Sequence, residues 1–142
     1  STKRALNRPA GPDAFRGRGE SVLVVDDVEE QRGIAEALLN RLGYTSWCVP
    51  SGEEAVEAVK TQKPDLVLLD MIMDPGMDGL ETYRRMLLLY PDLPAVLVSG
   101  YTMTEAIREA RDLDCVRFLK KPYAMDSLGT AVREALNRSL PA

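Results

Sequence analysis

Short, unbroken apolar runs alternate along the chain with stretches of helical period. Val22–Val25 after Ser21, Leu66–Leu69 after Asp65 and Ala95–Val98 are runs of the first kind, Tyr44–Val49 is rich in strand-forming residues, and Cys115–Leu119 reads as the last strand. A run that is apolar at consecutive positions suits a strand covered on both faces, which is the state of strands in a parallel sheet. Between the runs the period changes. Residues 29–42 carry Ile34, Leu38 and Leu42 at helical spacing, with Gly43 as a stop. Ser51-Gly52-Glu53-Glu54 is a capping-box pattern opening a helix to about Thr61, with Ala55, Val56 and Val59 inward. Residues 79–90 read as a helix stopped by Pro91, and Thr102–Glu105 is a second capping box opening a helix to about Arg111. A last helix spans about Met125 to Arg138 and packs Leu128, Val132 and Leu136. Asp74-Pro75-Gly76, with proline before glycine, suits a type II turn. Five strand–helix alternations with short connections predict an α/β fold: a parallel sheet with helices on both faces.

Composition narrows this picture. The chain has 142 residues, 45% of them apolar and 28% charged, enough for one domain with its own core. No apolar run reaches membrane-spanning length, and the N-terminus lacks the plan of a signal peptide. A soluble, cytoplasmic domain is expected, although a parent protein could be anchored upstream. Net charge is −4 and uneven: residues 1–20 hold five basic and two acidic side chains, which leaves −7 on the remainder. An acidic body argues against direct nucleic-acid binding. The first twenty residues, broken by Pro9, Gly11, Pro12, Gly17 and Gly19, read as a linker or an expression remnant, poorly ordered. Cys48 and Cys115 are expected to be two buried free thiols of a reducing compartment. Histidine is absent, so the chain has no imidazole nucleophile, base or metal ligand and cannot itself be a phosphohistidine donor.

The candidate chemistry lies just past the strands. Open α/β sheets bind ligands beyond the carboxyl ends of their strands. Asp26 and Asp27 follow the first strand, Asp70 the third, Ser99 the fourth and Lys121 the fifth. Three carboxylates gathered there repel one another and need a counter-charge. A hard divalent cation with oxygen ligands supplies it; Lys121 can reach a phosphoryl oxygen, and Ser99 can donate to another. Each residue alone has a plainer reading. Asp27 suits an N-cap of the first helix, Asp70 a turn, and Ser99-Gly100 and Lys121-Pro122 ordinary loop punctuation. Their joint arrival at strand ends of one polarity favours a site.

Together, VLVVDD ending at Asp27, LVLLDMIMDPGMDG from Leu66, VLVSGY ending at Tyr101 and FLKKPY from Phe118 resemble the receiver domain of two-component response regulators over residues 21–138. The resemblance implies a flavodoxin-like doubly wound sheet of order 2-1-3-4-5, with residues 21–142 as the receiver domain. It implies that Asp70 is phosphorylated by a phosphohistidine donor, with a magnesium ion held by Asp26, Asp27, Asp70 and the backbone carbonyl of Ile72. Ser99 matches the switch hydroxyl and Phe118 the aromatic that moves with it. Lys121 matches the lysine before proline, and the Lys121–Pro122 bond is expected to be cis. Tyr101 flanks the site and is expected to shield the phosphoryl group and slow its hydrolysis. Residues 103–138 become the expected output or homodimer surface. The implied strand order puts Cys48 and Cys115 on opposite sheet edges, which excludes an intramolecular disulfide.

One departure stands out. The loop Met73-Asp74-Pro75-Gly76-Met77-Asp78-Gly79 is one residue longer than the family's usual Met-Pro-x-Met-Asp-Gly, a variant that resembles receivers fused to sensor histidine kinases. Other readings remain open at this level. An unphosphorylated receiver-like scaffold would not need the full charged set. An aspartyl-phosphate hydrolase would carry an acid/base where Ile72 stands. A flavin binder would not place Asp26 and Asp27 against a flavin phosphate. The domain is thus expected to catalyse its own phosphorylation and dephosphorylation with no turnover of an external substrate.

Overall fold

The computed structural model of the chain describes residues 16–73, 76–100 and 115–139. Five strands, β1 (Ser21–Val25), β2 (Thr45–Val49), β3 (Leu66–Asp70), β4 (Ala95–Ser99) and β5 (Val116–Lys120), form one parallel sheet of order 2-1-3-4-5. The four described helices are α1 (Glu29–Arg41), α2 (Gly52–Thr61), α3 (Gly79–Leu89) and α4 (Met125–Ser139). The helix expected to open at Thr102 lies outside the described residues, as do Tyr101, Asp74 and Pro75. Gly76, the expected third residue of the type II turn, has φ +111°.

The apolar runs are strands for the expected reason. Alternate residues of β1, β3 and β4 enter two separate cores. Val22, Val24, Leu66, Leu68, Val96 and Val98 pack beneath α1 and α4. Leu23, Val25, Val67, Leu69, Ala95 and Leu97 pack beneath α2 and α3. All five residues of β3, the middle strand, are buried. Such strands are stable only when helices cover both sides.

Helix ends follow local chemistry. α1 has Glu29 and Glu30 in its first turn and Arg41 in its last, each favourable to the helix dipole. It stops in a Schellman motif: Tyr44 N–H donates to the Leu39 carbonyl at 3.0 Å and Gly43 N–H to that of Asn40 at 3.1 Å. That closure requires φ +95° at residue 43, which only glycine adopts without strain. Ser51 caps α2, its Oγ accepting from Glu54 N–H at 3.1 Å. The reciprocal half of the box is replaced: the Glu54 carboxylate lies 3.5 Å from the Ser51 hydroxyl. Asp78 caps α3 by accepting from Glu81 N–H at 2.9 Å.

Two expectations, the N-cap and the depth of the cysteines, are corrected. The N-cap of α1 is Val28, not Asp27, and it makes no side-chain capping bond. The inward face of α1 is Ala35, Leu39 and Leu42, while Ile34 is 45% exposed. Cys48 and Cys115 are free as expected but only half-buried. They do lie at the two opposite edges of the sheet, at β2 and beside β5. No helix among the described residues is long and apolar enough to cross a membrane. Arg16–Glu20, within the expected linker, are bonded to the domain. Gly17 N–H donates to the Leu42 carbonyl at 2.6 Å, Gly19 N–H to that of Gly43 at 2.8 Å, and Arg133 Nη2 to that of Arg16 at 2.7 Å.

The placement of α1 gives a direct prediction. Leu39→Ala will destabilise the domain by about 3 kcal/mol, because it empties a fully buried position. Ile34→Ala will cost less than about 0.5 kcal/mol, as a solvent-facing change. Urea unfolding of the two variants checks the assignment.

Candidate functional site

Sheet register does the assembling. Val25 pairs with Leu69, so the residues that follow, Asp26 and Asp70, emerge side by side at the carboxyl edge. Adjacent strands are ~4.8 Å apart, which brings the two carboxylates within a cation's reach. One carboxylate oxygen from each of Asp26, Asp27 and Asp70 lies within 4.8 Å of the others. Asp26 and Asp70 are buried, at 7% and 8% exposure, while Asp27 faces outward.

Lys121 crosses to them from β5, two strands from β3. Its Nζ donates to Asp26 Oδ2 at 3.1 Å and to Asp70 Oδ2 at 3.4 Å. The lysine backbone is fixed by its own N–H, which donates to the Ser99 carbonyl at 2.9 Å. The peptide bond between Lys121 and Pro122 is cis. Ser99 itself ends β4 half-buried, and Phe118 lies half-buried in β5 against the core under α2 and α3. The structure thus brings Asp26, Asp27, Asp70 and Lys121 together, with Ile72 tied to Asp70 by its N–H donating to Oδ1 at 3.3 Å. Phe118 sits deeper in the sheet, opposite Leu97. Tyr101 lies outside the described residues.

Electrostatics follow from burial and neighbours. Burial pushes the Asp70 carboxyl above the usual carboxylate range, and the Asp26 charge adds to the rise. Lys121 and the Ile72 N–H oppose it without cancelling it. Burial alone would lower the Lys121 ammonium, but the bonds and charges of Asp26 and Asp70 outweigh burial and raise it. A fixed cation therefore stands against two buried anions, and a third carboxylate opens to solvent beside them. This donor set, all oxygen and only partly neutralised, fits a hard divalent ion.

One contributor escapes a reading by motif alone. Arg32 Nη1 donates to the Asp26 carbonyl at 2.8 Å, pinning the turn that carries the acidic pair, while the Asp26 carboxylate accepts from Val28 N–H at 3.0 Å. The signal was an arginine one turn into the helix that follows Asp27. Tyr123, two residues past Lys121, is pushed up to about 12 by burial and by the charges of Asp26 and Asp70.

The raised Asp70 carboxyl has a consequence for stability. The native state keeps this proton at pH values where the unfolded chain has lost it. Stability therefore falls as pH rises from the ordinary carboxylate range through the raised value, and the full penalty persists above it. Asp70→Asn removes the penalty. In metal-free buffer at neutral pH it will melt higher than wild type, a gain that disappears below the ordinary carboxylate range. Thermal melts against pH in excess chelator test this.

The comparisons with known proteins agree with the geometry. The profile of the response regulator receiver domain matches residues 22–133. Sporulation initiation phosphotransferase F of Bacillus subtilis is 32% identical over 117 residues, covering 82% of this chain and 94% of that protein. The autoinducer 1 sensor kinase/phosphatase LuxN of Vibrio campbellii is 32% identical over 143 aligned positions, covering 96% of this chain but only 16% of that protein. Among solved structures, a response regulator receiver protein from Sinorhizobium medicae superposes with TM-score 0.76 at 27% identity, over 86% of this chain and 98% of that one. The chain belongs to the response regulator receiver domain family, the phosphorylation-accepting domains of two-component systems.

Proposed function

We propose that Asp70 is the phosphorylated residue, that it takes its phosphoryl group from a phosphohistidine donor, and that Asp26, Asp27, Asp70 and the Ile72 carbonyl hold magnesium during the transfer. The observation that carries this reading is the Lys121 ammonium bonded at once to Asp26 and Asp70. A half-buried cation shared by two carboxylates sets Asp70 beside a positive charge that can receive an anionic group.

In the transfer, a bond forms between an Asp70 carboxylate oxygen and phosphorus as the P–N bond to the donor imidazole breaks in line. Lys121 follows the charge onto the phosphoryl oxygens, and Ser99, at the adjacent strand end, donates to one of them. Magnesium supplies the remaining positive charge that such a group needs. Positioning and electrostatics carry most of such a reaction, so a small phosphodonor suffices. Ile72, apolar two residues past Asp70, provides no acid or base for rapid hydrolysis, which suits a lasting signal rather than turnover.

Switching belongs to the same reading. Phosphorylation draws Ser99 toward the phosphoryl group, Phe118 follows inward, and the face at residues 103–138 changes its affinity for a partner or a second copy. Tyr101 shields the acyl phosphate. The domain works in the cytoplasm and touches neither nucleic acid nor membrane itself.

Acetyl phosphate with magnesium will add the mass of one phosphoryl group to the intact protein, and chelator or Asp70→Asn will abolish the adduct. An adduct that persists in Asp70→Asn, or forms equally in chelator, overturns the assignment. Tyr101→Ala will shorten the lifetime of the adduct by a few-fold, read as loss of that mass with time.

A further inference from the structure

The longer loop behind Asp70 is held by a residue of another element. Three anchors fix it. Its two ends are joined, the Gly79 N–H donating to the Met71 carbonyl at 3.0 Å. Gly79 has to be glycine there, since a Cβ would run into the Asp70 carbonyl oxygen and come within 2.7 Å of Met71 Cα. At its start, Met71 and Met73 are buried in the core under α2 and α3, and Ile72 N–H reaches back to the Asp70 carboxylate. The third anchor comes from α2. Glu53 Oε2 accepts from Met77 N–H at 3.1 Å.

Two glycines stand beside that contact. Gly76 has φ +111°, and a side chain there would press on the Glu53 carboxylate, its Cβ 3.1 Å from Oε2 and 3.2 Å from Oε1. Gly52, the residue before Glu53, is buried against Thr82 and the Met77 carbonyl, with a Cβ leaving only 3.2 Å to that oxygen. The first turn of α2 therefore lies directly on the loop. We propose that Glu53 is a positioning residue: through Met77 it holds residues 76–79, which the Gly79–Met71 bond ties to the residue before Ile72, and so it sets where the Ile72 carbonyl stands for magnesium. The proposal rests on the roles of Asp70 and Ile72 given above.

A plainer role competes with it. A carboxylate in the first turn of α2 also complements the helix dipole, whatever the loop does. Reach separates the two. Glu53→Asp keeps the charge at the helix end but withdraws the oxygen by one methylene. Glu53→Gln keeps an acceptor at the right distance without the charge.

Two measurements on the metal-free and magnesium-loaded domain decide between them. In Glu53→Ala and Glu53→Asp the Met77 amide will exchange with solvent at least about tenfold faster, as an unanchored loop amide does. The dissociation constant for magnesium, by calorimetry, will rise about fivefold, the effect of one modest hydrogen bond. Glu53→Gln will stay within about twofold of wild type on both readouts. Unchanged Met77 exchange or unchanged magnesium affinity in Glu53→Ala overturns the proposal. So does wild-type behaviour of Glu53→Asp with loss in Glu53→Gln, which is the dipole signature. A wild-type domain that binds magnesium but forms no adduct on Asp70 removes the functional reading and leaves the Glu53 comparison standing.

Discussion

The arrangement depends on one ammonium group set between two buried carboxylates. Asp26 and Asp70 are forced together by the β1–β3 register, since the residues before them are paired. Two anions at that spacing, withdrawn from water, repel each other and each carries a desolvation penalty. Lys121, donating to both, makes the arrangement tolerable. An apolar core at the same place would be cheaper to build. That the fold keeps the charged alternative at the carboxyl edge, where open sheets hold their ligands, is the physical ground for a functional pocket.

The sheet matters to this pocket chiefly as a ruler. β3 is buried along its whole length, with β1 and β4 bonded on either side. Its end can therefore move little relative to theirs. The half-buried positions lie further out: Ser99 at the end of β4 and Phe118 in β5. Under the proposed function, a charge-triggered population shift would act at these positions rather than at β3.

Much of this was readable in the residues themselves. Runs such as Val22–Val25 and Leu66–Leu69 are apolar at every position, and only a doubly covered strand accommodates that. Asp26, Asp27, Asp70 and Lys121 were readable as a group because strand polarity alone decides which ends meet. The inward face of α1 was not. Ile34, Leu38 and Leu42 are spaced by four, and a 3.6-residue turn rotates such a series steadily away from one line. Ala35 and Leu39 join Leu42 in the core, Leu38 packs against it, and Ile34 is left outward. Asp27 carried the composition of an N-cap, yet the helix begins one residue later, after Val28. Arg32 and Glu53 act on residues brought near by folding, so no local pattern marks them. The extra residue in the loop was visible as a departure, but its anchoring by Glu53 depends on how α2 meets that loop.

Titration of the Asp70 side chain tests the central claim most directly. Carbon-13 carboxyl shifts followed against pH in chelator, for wild type and Lys121→Met, report whether the lysine holds that charge. The Asp70 midpoint, already above the usual carboxylate range, will climb further when Lys121 is removed, because burial and Asp26 are then unopposed by the ammonium. A midpoint that stays in place or falls in Lys121→Met would contradict it.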